Sequence, residues 1–470
     1  MFEPIVILKK FRKENSYMGG KYIAGTFFDY NGPHYINQTS YDILRLCDGK
    51  HSLDDIISII LNEYTGPKYT IIADIIKLLN IGTYLGFLTF DPTFIKIFQP
   101  IIDDSTLPLK PFNGYLRFPT SIYFEVTYAC NLQCIHCYAN AGKRLENELS
   151  FDEISTFTDE LAAIKVYDVS IGGGEPLIRD DITKIVDCMT SKGIDVSMST
   201  NGSLFDWDIA EELWHKGLNH IQFSLDGATA DTHDKIRGVG GTFDMAIKAI
   251  KIAKSIGYHV TIKPVIQKQN WMQIPKILEL ANELGVDGFL LGRLIPYGRA
   301  KENLSDTFVP YEDYTTIVKE LDCCSLDASM LRVRYEHLMD YKERDIQPFE
   351  VNVECPAARL SIHVCPDGIV KPCSYFPDKF SCGNIRETPL RDIWLNSTLL
   401  QYIRNLRLSD LNEPCSSCKF VCTGRCRAAG AAFFEEINAP DPLCPVVEEK
   451  YQLKKLVMED KSSLEYRLRA

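Results

Sequence analysis

Short apolar runs alternate with longer amphipathic segments between residues 119 and 310. Each run has the length of a single strand, and each intervening segment is long enough for a helix that crosses back over a sheet. The pattern predicts an α/β fold with six parallel strands, in an open sheet or an incomplete barrel. The predicted strands are residues 122–126, 169–172, 195–199, 220–224, 258–264 and 288–291.

The first 90 residues have a different pattern and predict a separate small domain. Apolar and polar positions alternate over residues 21–37, and Asn31-Gly32 lies at the centre of this stretch. Alternation around an Asn-Gly pair is typical of a β-hairpin. Helical periodicity follows, with Ser52 as a candidate N-cap of the second helix. The predicted helices are residues 39–46, 53–64 and 71–79.

The remaining segments complete the predicted domain organisation. Residues 91–118 are rich in proline and read as a linker to the α/β domain at 119–310. Helical and strand periodicity weaken over a bridging region at 311–354. Cysteines are dense in residues 355–450, and residues 451–470 predict a C-terminal helix or tail. A chain of 470 residues has the length of about three domains, which agrees with this division.

Composition narrows the class of protein. The net charge of −12 argues against a nucleic-acid partner, because phosphate binding needs concentrated Lys and Arg. The sequence shows neither a signal peptide nor an apolar run long enough to span a membrane, so we expect a cytoplasmic protein. The 16 cysteines are then poor candidates for disulfides in a reducing compartment. Clustered cysteines should instead bind metal or take part in chemistry.

The first cysteine cluster directly follows the first predicted strand. Cys130, Cys134 and Cys137 have the spacing CxxxCxxC and lie at the carboxyl end of that strand, where barrel active sites are built. Three thiolates on one loop can hold three irons of a cubane cluster and leave the fourth iron open to a small molecule. A zinc site or a chance spacing is the alternative for this motif alone.

Three further motifs follow the next three predicted strands in order. They are Gly172-Gly173-Gly174-Glu175-Pro176, Ser199-Thr200-Asn201-Gly202 and Ser224-Leu225-Asp226-Gly227. Together with the cysteine loop, they resemble the radical S-adenosylmethionine (radical SAM) superfamily over about residues 121–300. The resemblance implies a partial (β/α)6 barrel that binds a 4Fe–4S cluster and S-adenosylmethionine. Reductive cleavage of the cofactor would give a 5′-deoxyadenosyl radical that removes a hydrogen atom from the substrate.

The resemblance also implies roles for individual residues, although it assigns no catalytic side chain. The cysteines of the first cluster would hold the 4Fe–4S cluster. Gly173, Gly174 and Glu175 would form the segment that holds the methionine amino group of the cofactor. Ser199 and Asn201 would lie on its ribose side. Arg237, which follows Asp226, would pair with a carboxylate, for which a guanidinium is well suited. A solvated arginine at a helix end is the alternative for Arg237.

A second field of cysteines resembles the SPASM extension, which usually holds two additional 4Fe–4S clusters. The middle cysteines, Cys415, Cys418, Cys422 and Cys426, are separated by two, three and three residues, and this spacing departs from the one common in the family. By analogy Cys355, Cys373 and Cys426 would serve an inner cluster, and Cys365 or Cys382 could be its fourth ligand or a plain buried thiol. A zinc ribbon is the alternative for the whole field. The outer cluster would take Cys415, Cys418, Cys422 and Cys444.

The N-terminal domain resembles the recognition element of enzymes that modify ribosomally made peptides. The resemblance rests on residues 35–49 and 52–57, and it implies a winged-helix-like domain that accepts a leader peptide as an added strand. A generic small α+β domain is the alternative. The implied partners are a precursor peptide with a leader and an electron donor such as flavodoxin or ferredoxin.

The three parts together resemble the maturases of sactipeptides and ranthipeptides, which form thioether links from a cysteine sulfur to carbon. We therefore expect a thioether-forming radical SAM enzyme with three 4Fe–4S clusters. The first alternative is a peptide maturase that makes carbon–carbon links or another oxidation. Two others are a haem- or tungsten-cofactor enzyme, suggested by Cys426-Arg427-Ala428-Ala429 and Asp441-Pro442-Leu443-Cys444, and a leader-binding scaffold without activity.

Overall fold

The computed structural model divides the chain into two compact units, Met1–Phe112 and Asn113–Ala470. Several predicted features lie wholly or mostly outside the described residues: Cys422, the helices at 39–46 and 71–79, the linker at 91–118, and all but the first three residues of the tail at 451–470. The structure describes residues 25–29, 32–36, 43, 46, 53–63, 89–90, 95–96, 118–119, 121–164, 166, 168–324, 332–334, 355, 357–418 and 425–453.

The first unit contains the predicted hairpin. Strands β1 (Gly25–Asp29) and β2 (Gly32–Ile36) pair antiparallel, with Asp29 opposite Gly32. Helix α1 (Leu53–Glu63) buries Ile56 and Ile60, which lie one turn apart, so its predicted apolar face is confirmed. A short antiparallel pair, β3 (Thr89–Phe90) with β4 (Ile95–Lys96), crosses the boundary expected at residue 90.

The second unit is built on a ten-stranded sheet, and all six predicted strands are present. Strands β5 to β11 follow one another as parallel neighbours. The sequence missed β11, which adds to the sheet from the expected bridging region. The bounds are β5 (Ser121–Thr127), β6 (Asp168–Gly173), β7 (Asp195–Thr200), β8 (His220–Phe223), β9 (His259–Ile262), β10 (Gly288–Leu290) and β11 (Arg332–Arg334).

Amphipathic helices cover the sheet between these strands. Helix α2 illustrates why these segments are helical. Ser150 and Glu153 form a reciprocal capping box at its start. Ile154, Phe157 and Leu161 recur at helical spacing and form its buried face. The helices are α2 (Phe151–Ala163), α3 (Ile182–Ser191), α4 (Trp207–His215), α5 (Ala230–Arg237), α6 (Thr242–Ile256), α7 (Ile274–Glu283), α8 (Arg299–Glu302), α9 (Leu304–Thr307) and α10 (Tyr311–Cys324).

The cysteine-rich region continues the same sheet. Strand β12 (Ser361–Val364) pairs parallel with β5, from Ser361 opposite Ser121 to Val364 opposite Phe124. Strands β13 (Ile369–Lys371) and β14 (Gly383–Asn384) then extend the sheet antiparallel. The remaining helices are α11 (Leu390–Asn396), α12 (Thr398–Asn405), α13 (Arg427–Phe434) and α14 (Pro445–Tyr451).

The core of the second unit is a continuous cluster of buried aliphatic and aromatic side chains. It contains strand residues such as Ile122 and Val196, and also Trp394 of α11. The α/β region and the cysteine-rich region therefore share one hydrophobic core. In the part of the chain that the structure describes, none of the helices is both long and apolar enough to cross a membrane.

Candidate active site

The three cysteines of the first motif lie on one loop that begins where β5 ends. The Cys130 N–H donates to the Gly142 carbonyl at 3.0 Å, and the Cys137 N–H donates to the Cys134 carbonyl at 3.3 Å. Burial and the neighbouring thiols of Cys134 and Cys137 raise the pKa of Cys130 to about 11. Burial also raises the pKa of Cys137. The predicted trio is brought together, and its protons would leave on metal binding.

The glycine-rich segment after β6 packs directly against this loop. The Gly174 N–H donates to the Thr127 carbonyl at 2.7 Å, and the Glu175 N–H donates to the Ala129 carbonyl at 2.8 Å. Gly173 has φ of +130°, and a Cβ at Gly173 or Gly174 would collide with these same carbonyl groups. Glycine is therefore required here, because the two backbones approach so closely.

Glu175 is fully buried and braces the ends of two strands. Its Oε1 accepts from the Thr200 hydroxyl at 2.8 Å, and its Oε2 accepts from the Asn201 N–H at 2.8 Å. Oε1 also accepts from the Leu177 N–H at 3.2 Å. Burial raises the pKa of this carboxyl. The side chain thus fixes the segment geometry, and backbone groups of the segment remain the candidates for cofactor contact.

Asn201 and Ser199 lie at the end of β7, as the sequence predicts. The Asn201 Nδ2 donates to the Asn131 side-chain oxygen at 3.0 Å, which ties this strand end to the cysteine loop. The Ser199 hydroxyl accepts from the Gln222 side chain on β8 at 3.0 Å. Both predicted residues are therefore positioned by neighbours at the carboxyl edge of the sheet.

Asp226 and Arg237 form a buried ion pair beside the cluster loop. The Asp226 Oδ1 also accepts from the Val265 N–H at 2.7 Å. Burial alone would raise the pKa of Asp226, but the charge of Arg237 outweighs it and lowers that pKa. Arg237 also donates to the Cys134 sulfur at 3.5 Å. Its buried Nε has no hydrogen-bond partner among the described residues, so one donor remains for an anionic ligand.

The sequence did not predict Arg299 as a site residue, although its side chain hydrogen-bonds to two backbone carbonyls of the cysteine loop. Its Nε donates to the Cys134 carbonyl at 2.8 Å, and its Nη1 donates to the Ala141 carbonyl at 2.7 Å. A Cβ at the preceding Gly298, with φ of +58°, would collide with the Cys137 carbonyl. The sequence did contain a signal for Arg299: the pair Gly298-Arg299 follows the last predicted strand, at the same edge of the sheet as the other motifs.

In the second field, the structure brings Cys355, Cys373 and Cys426 together. Burial and the neighbouring thiols of Cys355 and Cys426 raise the pKa of Cys373. The Cys426 sulfur also accepts from the Ala429 N–H at 3.4 Å, which places the thiol at the start of α13. This trio is the inner set that the sequence predicts.

The two candidate fourth ligands have other neighbours. The Cys365 sulfur lies 3.4 Å from the His363 Nε2. Cys382 hydrogen-bonds to Ser397. Burial raises the pKa of each thiol to about 12. Each of these two thiols therefore has a polar partner outside the inner trio, and neither contact assigns it as a fourth ligand of that trio.

The described members of the outer set lie at the ends of short helical segments: Cys415 and Cys418 at the two ends of one 3-10 turn, and Cys444 at the start of α14. Cys415 begins a 3-10 turn, and the Cys418 N–H donates back to the Cys415 carbonyl at 3.2 Å. Cys444 precedes α14, whose last residue, Tyr451, lies near Cys415 and donates to the Glu413 carbonyl at 3.0 Å. Helix α14 therefore links the two segments that carry these cysteines.

Asp441 connects the α/β region to the cysteine-rich region and was missed as a site residue. Its two carboxylate oxygens accept from the Arg293 Nη1 and Nη2 at 2.8 Å and 2.7 Å, and both residues are buried. The carboxylate also accepts from the Cys426 N–H at 3.2 Å. A bidentate pair of this kind fixes orientation, so Arg293 helps to position an inner-set cysteine.

Two tyrosines join the first cysteine loop to the inner set. Tyr138 follows Cys137, and its ring packs edge-to-face against Tyr375 with centroids 5.2 Å apart. Tyr375 lies two residues after Cys373, and both rings pack in one apolar cluster with Cys426. The two sets of thiols are thus linked through packed side chains.

Three family models match the chain. The radical SAM superfamily model matches residues 124–281, an iron-sulfur cluster-binding domain (SPASM) matches 355–419, and coenzyme PQQ synthesis protein D (PqqD) matches 28–81. The chain is also 32% identical over 345 residues to the AdoMet-dependent heme synthase of Methanosarcina barkeri, across 69% of this chain and 96% of the relative. The chain belongs to the radical SAM superfamily.

Other relatives agree with this assignment. Mycofactocin maturase MftC of Mycobacterium tuberculosis is 33% identical over 341 residues, which cover 72% of this chain and 85% of MftC. SuiB of Streptococcus suis shares the fold. Its S-adenosylmethionine complex gives a TM-score of 0.60 at 19% identity, across 88% of this chain and 94% of SuiB. Its complex with precursor peptide SuiA gives 0.58 at 18% identity, across 87% and 93%.

Membership makes the chain an enzyme that uses S-adenosylmethionine and a 4Fe–4S cluster, with additional clusters in its SPASM domain. The residues fit these groups. Three neighbouring thiols supply the donors that iron–sulfur clusters require, and the partnerless Nε of Arg237 can donate to an anionic ligand.

We predict that the reconstituted enzyme holds about twelve irons and about twelve sulfides per chain, because the cysteine sets suit three cubane clusters. Anaerobic iron and sulfide analysis with Mössbauer spectroscopy measures this directly. About four irons, with zinc replacing the rest, would mean that residues 355–450 form a zinc module.

Proposed function

We propose that this enzyme is a radical SAM peptide maturase that installs a thioether, from a cysteine sulfur to carbon, in a ribosomally made precursor peptide. The observation that carries the proposal is the inner trio of Cys355, Cys373 and Cys426, which packs beside the first cysteine loop through Tyr138 and Tyr375. The PqqD match and the MftC and SuiB likenesses support a peptide as the substrate.

The N-terminal unit would hold the leader of the precursor. Strand β2 and helix α1 lie in the segment that matches PqqD, and the last two residues of β1 overlap its start. An extended peptide can bind such a domain by adding a strand, because backbone groups then pair in register. Binding the leader would raise the concentration of the core peptide near the cysteine loop.

Residues at the carboxyl edge of the sheet would bind and orient the cofactor. When bound, the 4Fe–4S cluster and S-adenosylmethionine supply hydrogen-atom abstraction. Arg237 would pair with the carboxylate of the cofactor through its free Nε, while Asp226 keeps the guanidinium in place. Asn201 and Ser199 would contact the ribose side, and the backbone of Gly173 and Gly174 the amino group. We also propose a cytoplasmic location and a flavodoxin or ferredoxin donor.

The inner trio would receive the substrate cysteine. Three protein thiolates leave one position of a cubane cluster for another ligand, and a substrate thiolate is chemically suited to it. Cys365 and Cys382 contact His363 and Ser397 instead, which supports an open position. Forming a sulfur–carbon bond from a thiol and a C–H group removes two hydrogen atoms: one by abstraction, the other as a proton that leaves to solvent and an electron, for which an additional SPASM cluster would be a suitable acceptor.

We expect the product to weigh two hydrogen atoms less than the precursor, with its cysteine resistant to alkylation and to reducing agents. Mass spectrometry after iodoacetamide treatment tests this, and a precursor with serine in place of core cysteine is the matched control. A modified peptide that keeps an alkylatable cysteine would contradict the thioether. It would favour carbon–carbon bond formation or another oxidation.

A second candidate is cofactor chemistry on a porphyrin, which the haem synthase relative favours. Leader binding separates the two candidates, because a tetrapyrrole enzyme has no need of a leader. Fluorescence anisotropy with a labelled leader peptide, with and without unlabelled competitor, distinguishes specific binding from none. Specific binding would support the maturase, and its absence would favour the porphyrin candidate.

We predict that Arg237→Lys weakens S-adenosylmethionine binding by about 10–100-fold, as expected when a charge-assisted hydrogen bond of about 1.5–3 kcal/mol is lost. Lysine keeps the charge opposite Asp226 but has no planar fork. Equilibrium dialysis measures the change. Arg386→Lys, in an exposed pair with Glu153, is the matched control and should bind normally. Equal affinity in both variants would remove Arg237 from the cofactor site.

A further inference from the structure

Glu125, His363 and Cys365 bring three metal-binding side chains together outside both cysteine sets. Their donor atoms lie within 4.8 Å of one another, and all three residues are buried. The His363 Nε2 is the common neighbour, at 3.1 Å from the Glu125 Oε2 and 3.4 Å from the Cys365 sulfur. No function described above uses this group.

The sheet register explains why these residues meet. In a strand, residues two apart point to the same face. Tyr123 and Glu125 therefore share one face of β5, and His363 shares a face with Cys365 at the end of β12. The pairing of β5 with β12 sets His363 opposite Tyr123. The two rings stack with centroids 5.6 Å apart, which fixes the imidazole plane.

The distances suit a tetrahedral ion. A zinc ion with bonds of about 2.0–2.1 Å to nitrogen and oxygen and about 2.3 Å to sulfur separates nitrogen from oxygen by about 3.3 Å, and nitrogen from sulfur by about 3.6 Å. The observed separations of 3.1 Å and 3.4 Å are each only slightly shorter. A small outward movement of side chains would admit the ion.

The surroundings also suit a metal centre. Tyr138 donates to the other Glu125 oxygen at 3.0 Å, which orients the carboxylate as outer residues do at metal sites. Burial lowers the pKa of His363, so its imidazole is neutral and able to bind an ion. The Tyr128 hydroxyl hydrogen-bonds to Cys365 and can supply a fourth donor.

Charge also balances. A divalent ion is neutralised by the Glu125 carboxylate and a Cys365 thiolate, and the thiol proton leaves to solvent on binding. The nearby Lys371 is already paired with Asp378 at 3.0 Å, so this second pair adds no net charge. The buried group then contains matched charges, as the low dielectric of an interior requires.

We propose that Glu125, His363 and Cys365 form a mononuclear site for a divalent ion, zinc by the chemistry of its donors, which joins β5 to β12. A Glu-His-Cys set is typical of zinc and differs from the all-cysteine sets that hold iron–sulfur clusters. The ion would be structural and would fasten the radical SAM region to the SPASM region.

The test uses the full-length enzyme with its iron–sulfur clusters reconstituted, so that the cluster cysteines are already occupied. Zinc and iron are measured by mass spectrometry after incubation with ZnCl2 and removal of loosely bound ions. We expect about one zinc per chain in the wild type, and a loss of that zinc in Cys365→Ser and His363→Gln. Cys188→Ser, a half-buried cysteine that contacts Ser155, is the matched control and should keep it.

Zinc X-ray absorption of the wild type identifies the donors without any variant, so a variant that fails to fold does not block the test. One sulfur with nitrogen and oxygen neighbours is expected. A shell of sulfur alone, no zinc after incubation, or equal zinc in all three variants would overturn the proposal. Loss of iron in Cys365→Ser would also overturn it, because Cys365 would then ligate the inner cluster.

Discussion

Replacing Cys130, Cys134 and Cys137 with alanine should reduce production of 5′-deoxyadenosine to background. The loop that carries these thiols contacts the glycine segment, Asn201 and Arg237, which are the candidate cofactor-binding residues. Without the thiols, the 4Fe–4S cluster that would reduce the cofactor has no ligands at this position. Chromatography of dithionite-reduced reactions measures this product. No other change in the chain should have a larger effect on it.

Two controls make this result interpretable. Cys188→Ser removes a thiol of α3 that contacts Ser155 and should leave production unchanged. Leader affinity of the triple variant should also stay at the wild-type value, because the recognition segment belongs to the other compact unit. Undiminished cofactor cleavage by a triple variant that keeps its SPASM clusters would refute the assignment of the loop.

Deleting residues 1–112 should reduce turnover of the full-length precursor by about 10²–10⁴ fold, the range that tethering can contribute. Cleavage of S-adenosylmethionine without precursor should continue, because the whole α/β unit remains. The cut at Phe112 follows the boundary between compact units, whereas a cut at residue 90 would separate β3 from β4. Turnover is measured by mass spectrometry at precursor concentrations below saturation.

A leaderless core peptide is the matched substrate for this deletion. The truncated and full-length enzymes should process it at similarly low rates, because neither can capture it through a leader. Iron content and uncoupled cleavage report whether the truncated chain has folded. Precursor turnover that survives the deletion in a folded enzyme would argue against leader recognition by this unit.

The sequence predicted the parts of this molecule that depend on local patterns. Six strands and the order of the motifs at their carboxyl ends follow from periodicity, so Cys130, Gly174 and Asn201 are at the same edge in the structure. Helix α1 was also predicted, because its apolar positions recur within one short segment.

The contacts that the sequence did not reveal are between residues far apart in the chain. Strands β11 and β12 lie after residue 310, where the alternation of strands and helices that marks the equally short β8, β9 and β10 weakens. Arg293 and Asp441 are 148 residues apart and meet only because the SPASM region folds back onto the barrel. The Glu125–His363–Cys365 group depends on the register of β12 against β5, which no local pattern specifies.

The parallel pairing of β12 with β5 bears on how such enzymes can be shortened or recombined. A chain that ended before residue 355 would leave the backbone of β5 as an open edge, from Ser121 onward, next to the loop that holds Cys130. Exposed edges of this kind recruit strands from other molecules and lead to aggregation. The C-terminal region therefore covers the edge of the first barrel strand, and it would have to be replaced rather than removed in a minimal enzyme.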